Sequence, residues 1–326
     1  MTSIDHLLPS PETAVRCAEH ARSLAIDPGG TAIRADRVVL VSTPAPWPKP
    51  VFDHPRLAAV EPLRAAPAIP TRVLATWGPQ GRSADGPTDE VIAFDRPRPG
   101  VGAEVIERRF TARTDAALAE VVAALAADDR PRMDALARTV APVAEPVVMI
   151  CTQGSHDVCC GSEGTRLAAE VSRWLEGVTV YRVSHTGGHR FAPTALTLPD
   201  GRMWAGLDRE LVRRILRRVD APAELLGHCR GWWGADTGPA QVAERAVLGV
   251  VGWSVDDDPA KNLRTVEVQA DPDGATYRCV VTVGDSSWAV TVTAGRTVPT
   301  IACRQPGGLP AKPATEYQVG EIVPGR

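Results

Sequence analysis

The chain has 326 residues, ample for two domains with buried cores. Its 36 Lys and Arg against 39 Asp and Glu leave a formal net charge of −3, so no strong field draws it to nucleic acid or anionic lipid, and a basic-patch nucleic-acid binder is disfavoured. Seven cysteines are an odd count, and the amino terminus MTSIDHLLPSPE has neither the basic nor the apolar region of an export signal; both argue against a disulfide framework and for thiols that are buried, reactive or metal-bound in a reducing compartment.

A helix is expected over Glu12 to Ala25, where Ala14, Ala18, Ala21 and Ala25 recur at helical spacing before the breakers Asp27-Pro28-Gly29-Gly30. The apolar run Arg37 to Ser42 reads as a buried strand, and the Pro-rich stretch Thr43 to Pro50 must be loop. Strands at Arg72 to Trp77 and Val91 to Phe94 and a helix at Asp115 to Ala127 make the first half α/β. After a boundary near Thr139 to Pro146, Val147 to Ile150 is a short apolar strand with Cys151 at its end, followed by a helix over Glu163 to Glu176 and a strand over Val178 to Ser184. Ala195 to Leu198 and Arg202 to Trp204 flank the turn Pro199-Asp200-Gly201, a helix spans Asp208 to Val219, and the β-α-β-β-α order is that of a thioredoxin-like fold. A helix over Ala240 to Val251 and a hairpin of Thr276 to Val283 with Ser287 to Thr293 complete the pattern.

The expected architecture is therefore α/β. An N-terminal α/β domain (1–144) precedes a thioredoxin-like domain (145–253), a C-terminal β extension (254–305) and a flexible tail (306–326) rich in Pro and Gly. No internal repeat is visible in the periodicity, but the first half is open to reading as a degenerate second thioredoxin-like unit that has lost its ligands, because the strand Arg37 to Ser42 is followed by Pro-Ala-Pro-Trp in place of a Cys loop. The apolar runs are all far shorter than the ~18 residues of a membrane span, which predicts a soluble, cytoplasmic protein without membrane partners.

The chemistry concentrates between Cys151 and His189. Cys151 and Cys160 bound the loop after one strand, and His185 and His189 lie in the loop after its parallel neighbour. Parallel neighbours bring their carboxyl ends to one sheet edge, so two thiols and two imidazoles can converge there. Such a soft or borderline donor set suits zinc or an iron-sulfur cluster and disfavours magnesium and calcium.

The blocks Cys151-Thr-Gln-Gly-Ser-His-Asp-Val-Cys-Cys160-Gly161 and His185-Thr-Gly-Gly-His189-Arg-Phe-Ala-Pro-Thr194, with Leu198-Pro-Asp-Gly201 and Trp204, closely resemble the sucrase/ferredoxin-like family. A weaker resemblance extends to Pro46-Trp47-Pro48, Arg230-Gly231 and Ala240 to Ala246. It implies a thioredoxin-like ferredoxin whose [2Fe-2S] cluster is bound by Cys151, Cys160, His185 and His189, with Cys159 as the alternative to Cys160. It implies electron transfer to a protein redox partner, with reduction coupled to proton uptake at an imidazole. Neutral imidazoles in place of two thiolates favour the added electron and raise the potential relative to an all-Cys ferredoxin.

Other readings remain beside this one. The same Cys2His2 shell suits structural zinc in an interaction module, and Cys159 with Cys160 could form a redox-active vicinal dithiol, although adjacent residues bridge only with strain. His156 either bonds the cluster or is a solvated loop residue, Asp157 fixes the loop by accepting backbone N–H groups, and Arg190 either brings charge to the cluster edge to dock an acidic partner or is a plain surface residue. Cys17, Cys229, Cys279 and Cys303 read as buried small hydrophobes. Two carboxylates facing across a cleft, a phosphate loop, a nucleophile elbow and an HExxH motif are all missing from the pattern, so no glycosidase or other catalytic centre is expected.

Overall fold

The computed structural model describes residues 4–79, 89–98, 104–258, 261–271 and 274–325. After helix α1 (Cys17–Ser23), the first half runs β1 (Arg37–Ser42), α2 (Pro55–Ala58), α3 (Pro62–Ala65), β2 (Thr71–Pro79), β3 (Glu90–Asp95), β4 (Ile106–Thr111), α4 (Asp115–Ala127), α5 (Arg130–Leu136) and β5 (Thr139–Pro142). The second half runs β6 (Val147–Cys151), α6 (Thr165–Trp174), β7 (Thr179–Val183), β8 (Ala195–Leu198), β9 (Arg202–Trp204), α7 (Arg209–Leu216) and β10 (Cys229–Trp232). Then come α8 (Gly238–Val251), α9 (Ser254–Asp257), β11 (Asn262–Asp271), β12 (Gly274–Val283), β13 (Ser286–Thr300) and β14 (Lys312–Pro324).

The two halves share one ten-stranded sheet of order β10-β9-β8-β6-β7-β2-β1-β3-β4-β5. Read outward from the centre, each half has the same order and the same pattern. β1 is parallel to β2 and antiparallel to β3, and β6 is parallel to β7 and antiparallel to β8. The repeat absent from the periodicity is thus present in the topology. Antiparallel pairing of β2 with β7 joins the halves, with Thr76 opposite Val183. Because that pairing engages the C-terminal ends of both strands, the C-terminal sheet edges of both halves meet at the seam. Thr43 N–H donates to Thr76 O at 2.8 Å and Thr152 N–H donates to Val183 O at 2.9 Å, so Ser42 is the positional counterpart of Cys151.

The central strands are apolar throughout because both faces are covered. Val38 and Leu40 of β1 join Val147 and Met149 of β6 in one core that crosses the seam, with Phe94, Tyr181 and Trp233. On the other face Val39 and Val41 pack on Leu118, Val122 and Leu125 of α4, while Val148 and Ile150 pack on α6 and α7. β5, a largely exposed edge strand ending at Pro142, occupies the expected inter-domain boundary.

Two expectations fail at the chain ends. α1 is shorter than Glu12 to Ala25 because the residues before it pair elsewhere: Ala14 bridges Pro306, Gly307 N–H donates to Thr13 O at 3.1 Å and Arg304 N–H to Val15 O at 2.8 Å. The expected flexible tail is instead β14, the fourth strand of an antiparallel sheet of order β11-β12-β13-β14. It is fixed by Tyr317, edge-on to Tyr277 with ring centroids 6.2 Å apart, and by the pairing of Glu316 with Arg296. Alternation over the strand outweighed the breakers that precede it. The buried helix α8 packs against this sheet through Val242, Val247 and Val281. No helix among the described residues is long and apolar enough to cross a membrane.

Candidate metal centre

Cys151 closes β6, and Cys160 opens a π-helical turn (Cys160–Gly164) that runs into α6. That turn lies tight against β6: a Cβ at Gly164 would collide with the Cys151 carbonyl, and one at Gly161 with the Cα of Gly154. Glycine at both places lets the turn fold back until Cys160 reaches Cys151. His185 follows β7, whose end at Val183 is paired with Cys151. Gly187 and Gly188 then adopt positive φ (84° and 67°), reversing the chain so that His189 starts a short 3₁₀ turn over the same edge.

The donor atoms of Cys151, Cys160 and His185 lie within 4.8 Å of one another. The His189 ring stands 6.1 Å from the His185 ring, centroid to centroid, outside that tight group. Its Nδ1 lies 2.9 Å from Asp157 Oδ2 and 3.4 Å from Cys17 Sγ. Asp157 Oδ1 also accepts the Cys159 N–H at 2.8 Å, so one carboxylate fixes the loop and orients the ring. Burial works to raise the Asp157 carboxyl, but the His189 contact, the Cys17 thiol and the Cys159 N–H together outweigh it and bring it down to about 2.

His156 is half-buried and stacks on His185, with ring centroids 3.5 Å apart and 16° between planes. It is neither a solvated loop residue nor a donor within the tight group. Burial, then the neighbouring His185, Lys49 and His189, lowers its pKa to about 3, so the ring stays neutral. Arg190 turns its guanidinium to Thr300 Oγ1 and over the Phe191 ring, 4.7 Å from the centroid. It is 7 % exposed, so burial removes it from the role of a docking charge.

Cys159 goes elsewhere. Its Sγ lies 3.8 Å from Cys17 Sγ and 3.5 Å from Cys303 Sγ, while Cys160 faces Cys151. The vicinal pair is therefore split between two donor groups and does not present a dithiol. The Cys160 thiol donates to Cys151, and this bond, working against burial and aided by His185 and the Thr186 N–H, holds Cys151 well below the ordinary thiol range. The Cys151 thiolate, with burial, pushes Cys160 up.

Three further residues, buried Gln153 and Arg230 and half-buried Arg72, complete the environment. Gln153 accepts the His185 N–H at 2.9 Å and donates to Pro48 O at 2.6 Å, tying together the loops after β6, β7 and β1. Ser155 Oγ donates to Trp47 O and Lys49 Nζ to His156 O at 3.1 Å, so the Pro-rich segment walls the site loop. Arg72 of β2 donates to His185 O at 2.6 Å, and Arg230 of β10 donates to Gly187 O at 3.1 Å and to Thr31. Among the described residues neither guanidinium forms an ion pair with a carboxylate. Burial lowers the pKa of both, Arg230 to about 10, while the Cys151 thiolate opposes that fall.

Cys151, Cys160 and His185 thus form a donor group that could hold a metal ion, with Arg72 and Arg230 bonded to the backbone of the His185 loop. The match of a family model settles the relationship: residues 28–231 fit the sucrase/ferredoxin-like family. The chain belongs to the sucrase/ferredoxin-like family. No curated protein and no solved structure matches it. In this sucrase/ferredoxin-like chain the matched segment contains Cys151, Cys160, His185, His189, Gln153, Arg72 and Arg230, and leaves out Cys17 and Cys303.

Gln153, Arg72, Cys17 and Cys303 escaped sequence reasoning. Nothing near Arg72 marks it as facing a loop more than a hundred positions away. Arg230 carried a signal only as part of the family resemblance.

Proposed function

We propose that the protein carries single electrons on a [2Fe-2S] cluster held by Cys151, Cys160, His185 and His189. The convergence of Cys151, Cys160 and His185 beside Arg72 and Arg230 carries this reading. Such a cluster, when bound, supplies a one-electron redox couple. Cys151 and Cys160 would be thiolate donors on the β6 side and His185 and His189 imidazole donors on the β7 side. Arg72 and Arg230 hold positive charge where negative charge is gained on reduction, which favours the reduced state. The carboxylate of Asp157 accepts from Nδ1 of His189 and leaves Nε2 to face a metal. A proton on such an imidazole nitrogen gives reduction its pH dependence.

The rim of the site, formed by exposed Gly154 and Ser155 with the Pro-rich loop, is the place for a protein redox partner. None of the seven cysteines forms a disulfide among the described residues, which fits a reducing, cytoplasmic setting. The first half reads as a second thioredoxin-like unit in which Ser42 stands where the second has Cys151. The close spacing of Cys151, Cys160 and His185 also suits a mononuclear zinc ion in a structural module, the second reading.

Aerobic purification of the full chain discriminates between them. The cluster predicts a coloured protein with iron and acid-labile sulfide in equal amounts, both lost in Cys151→Ser and in His185→Ala. A colourless protein in which the Cys151 group holds zinc and no sulfide overturns the electron-transfer reading.

A further inference from the structure

We propose that Cys17, Cys159, Cys303 and Asp157 form a second metal site, distinct from the Cys151 group, that takes zinc. Three thiols and a carboxylate from three distant parts of the chain place one donor atom each within 4.8 Å of one another. Cys17 opens α1, Asp157 and Cys159 lie in the loop after β6, and Cys303 follows β13. Cys17, Asp157 and Cys159 are buried and Cys303 is half-buried.

The spacing is that of donors around one ion. Zinc binds thiolate at about 2.3 Å in a tetrahedral shell, which separates neighbouring sulfurs by about 3.8 Å. Cys159 Sγ lies 3.8 Å from Cys17 Sγ and 3.5 Å from Cys303 Sγ, and the Asp157 oxygens lie 3.3 and 3.4 Å from Cys17 Sγ. Soft thiolates select against magnesium and calcium, and a mixed shell of sulfur and carboxylate suits zinc. Three thiolates and a carboxylate around a dication leave net negative charge, and the Arg16 guanidinium, which also faces Glu163 at 3.4 Å, interacts with Cys159.

The backbone is arranged to deliver these donors. Pairing of residues 13–15 with 304–307 truncates α1 and carries Cys17 and Cys303 to the same place, and Cys17 N–H points at Cys303 Sγ, 3.5 Å away. Cys17 and Cys303 lie outside the span that matches the family model, whereas Asp157 and Cys159 lie within it. A metal there would clamp α1 and the segment behind β13 onto the loop that carries Cys160. Asp157 belongs to both neighbourhoods, since its Oδ2 also meets His189.

The inference does not depend on which cofactor the Cys151 group holds. Its test is metal analysis of the full chain purified from zinc-supplemented medium, with iron, acid-labile sulfide and zinc measured on the same sample. Zinc is expected in the wild type and should fall by one equivalent per chain in Cys303→Ser, while iron and visible absorption stay unchanged. Cys151→Ser should do the reverse to iron and keep this zinc. A footprint on the unmodified chain guards against a misfolded variant: stripping zinc with a chelator should expose Cys17, Cys159 and Cys303 together to iodoacetamide, and restoring Zn²⁺ should protect them. Wild type without zinc, a Cys303→Ser variant with undiminished zinc, equal labelling with and without Zn²⁺, or a Cys17–Cys159 or Cys159–Cys303 disulfide in the purified chain would each overturn the proposal.

Discussion

Cys159 and Cys160 are consecutive residues whose sulfurs enter different donor groups, Cys159 with Cys17 and Cys303, Cys160 with Cys151 and His185. Cys159 precedes the π-helical turn and Cys160 begins it, so successive side chains fan apart by roughly the 100° of a helical step and cannot share a target. Cys160→Ser should therefore abolish binding at the Cys151 group, whereas Cys159→Ser should retain its full iron content and visible spectrum. Iron per chain in the two variants checks this, and equal losses would contradict the division.

Gly164 holds the turn against β6. An alanine there meets the Cys151 carbonyl, a backbone atom that cannot swing aside, so the turn must move outward and take Cys160 with it. Gly164→Ala should lose most of its bound metal while its far-ultraviolet circular dichroism stays near wild type. Gly227→Ala, where a Cβ would meet nothing within 4 Å, should leave metal content unchanged.

Arg72 should set the potential of the site. A unit charge at roughly 7 Å with an effective dielectric of about 20 contributes about 2 kcal/mol, which for a one-electron couple corresponds to a shift on the order of 50–100 mV. Arg72→Met removes that charge at similar side-chain length and should lower the midpoint potential by this amount, with iron content retained. Spectroelectrochemical titration of both proteins measures it; an unchanged or raised potential would show that the guanidinium does not act on the reduced state.

Away from the site, Asp200 makes stability depend on pH. Burial first, and then the Asp256 carboxylate, raise its carboxyl to about 6 against the hydrogen bonds of Thr197 and the Arg202 N–H. The unfolded value is about 3.9, so the folded state holds the proton more tightly. Its contribution to stability is fully present below about pH 4 and is lost as pH rises through about 6, amounting to roughly 2–3 kcal/mol. Asp200→Asn keeps an acceptor for Thr197 and Arg202 but cannot titrate. Denaturant unfolding between pH 4 and 7 should show a decline in the wild type relative to the variant, and parallel curves would refute the assignment.

Close by, Arg202 of β9 is fully buried between Glu244 of α8 and Asp256 of α9, with Lys261 on the same two carboxylates. Arg202→Met leaves buried carboxylates under-compensated, a change that costs about 3–5 kcal/mol. The denaturation midpoint should fall accordingly.

The local pattern of the chain determined which residues form strands and helices over most of its length, because apolar runs of four to six residues such as Val38 to Val41 and Val147 to Ile150 are covered on both faces and have no other stable home. It also determined that Cys151, Cys160, His185 and His189 come to one sheet edge, since a βαβ unit brings the ends of its parallel strands together. Only the tertiary structure decided that Cys159 belongs with Cys17 and Cys303. Those residues are more than 140 positions from it in either direction, and their meeting depends on backbone pairing of residues 13–15 with 304–307, which leaves no periodic trace. The same holds for the repeat of strand order across the β2–β7 seam and for Arg72 and Arg230 at the site. A buried charge takes its meaning from what the fold places opposite it, and local spacing carries no record of that.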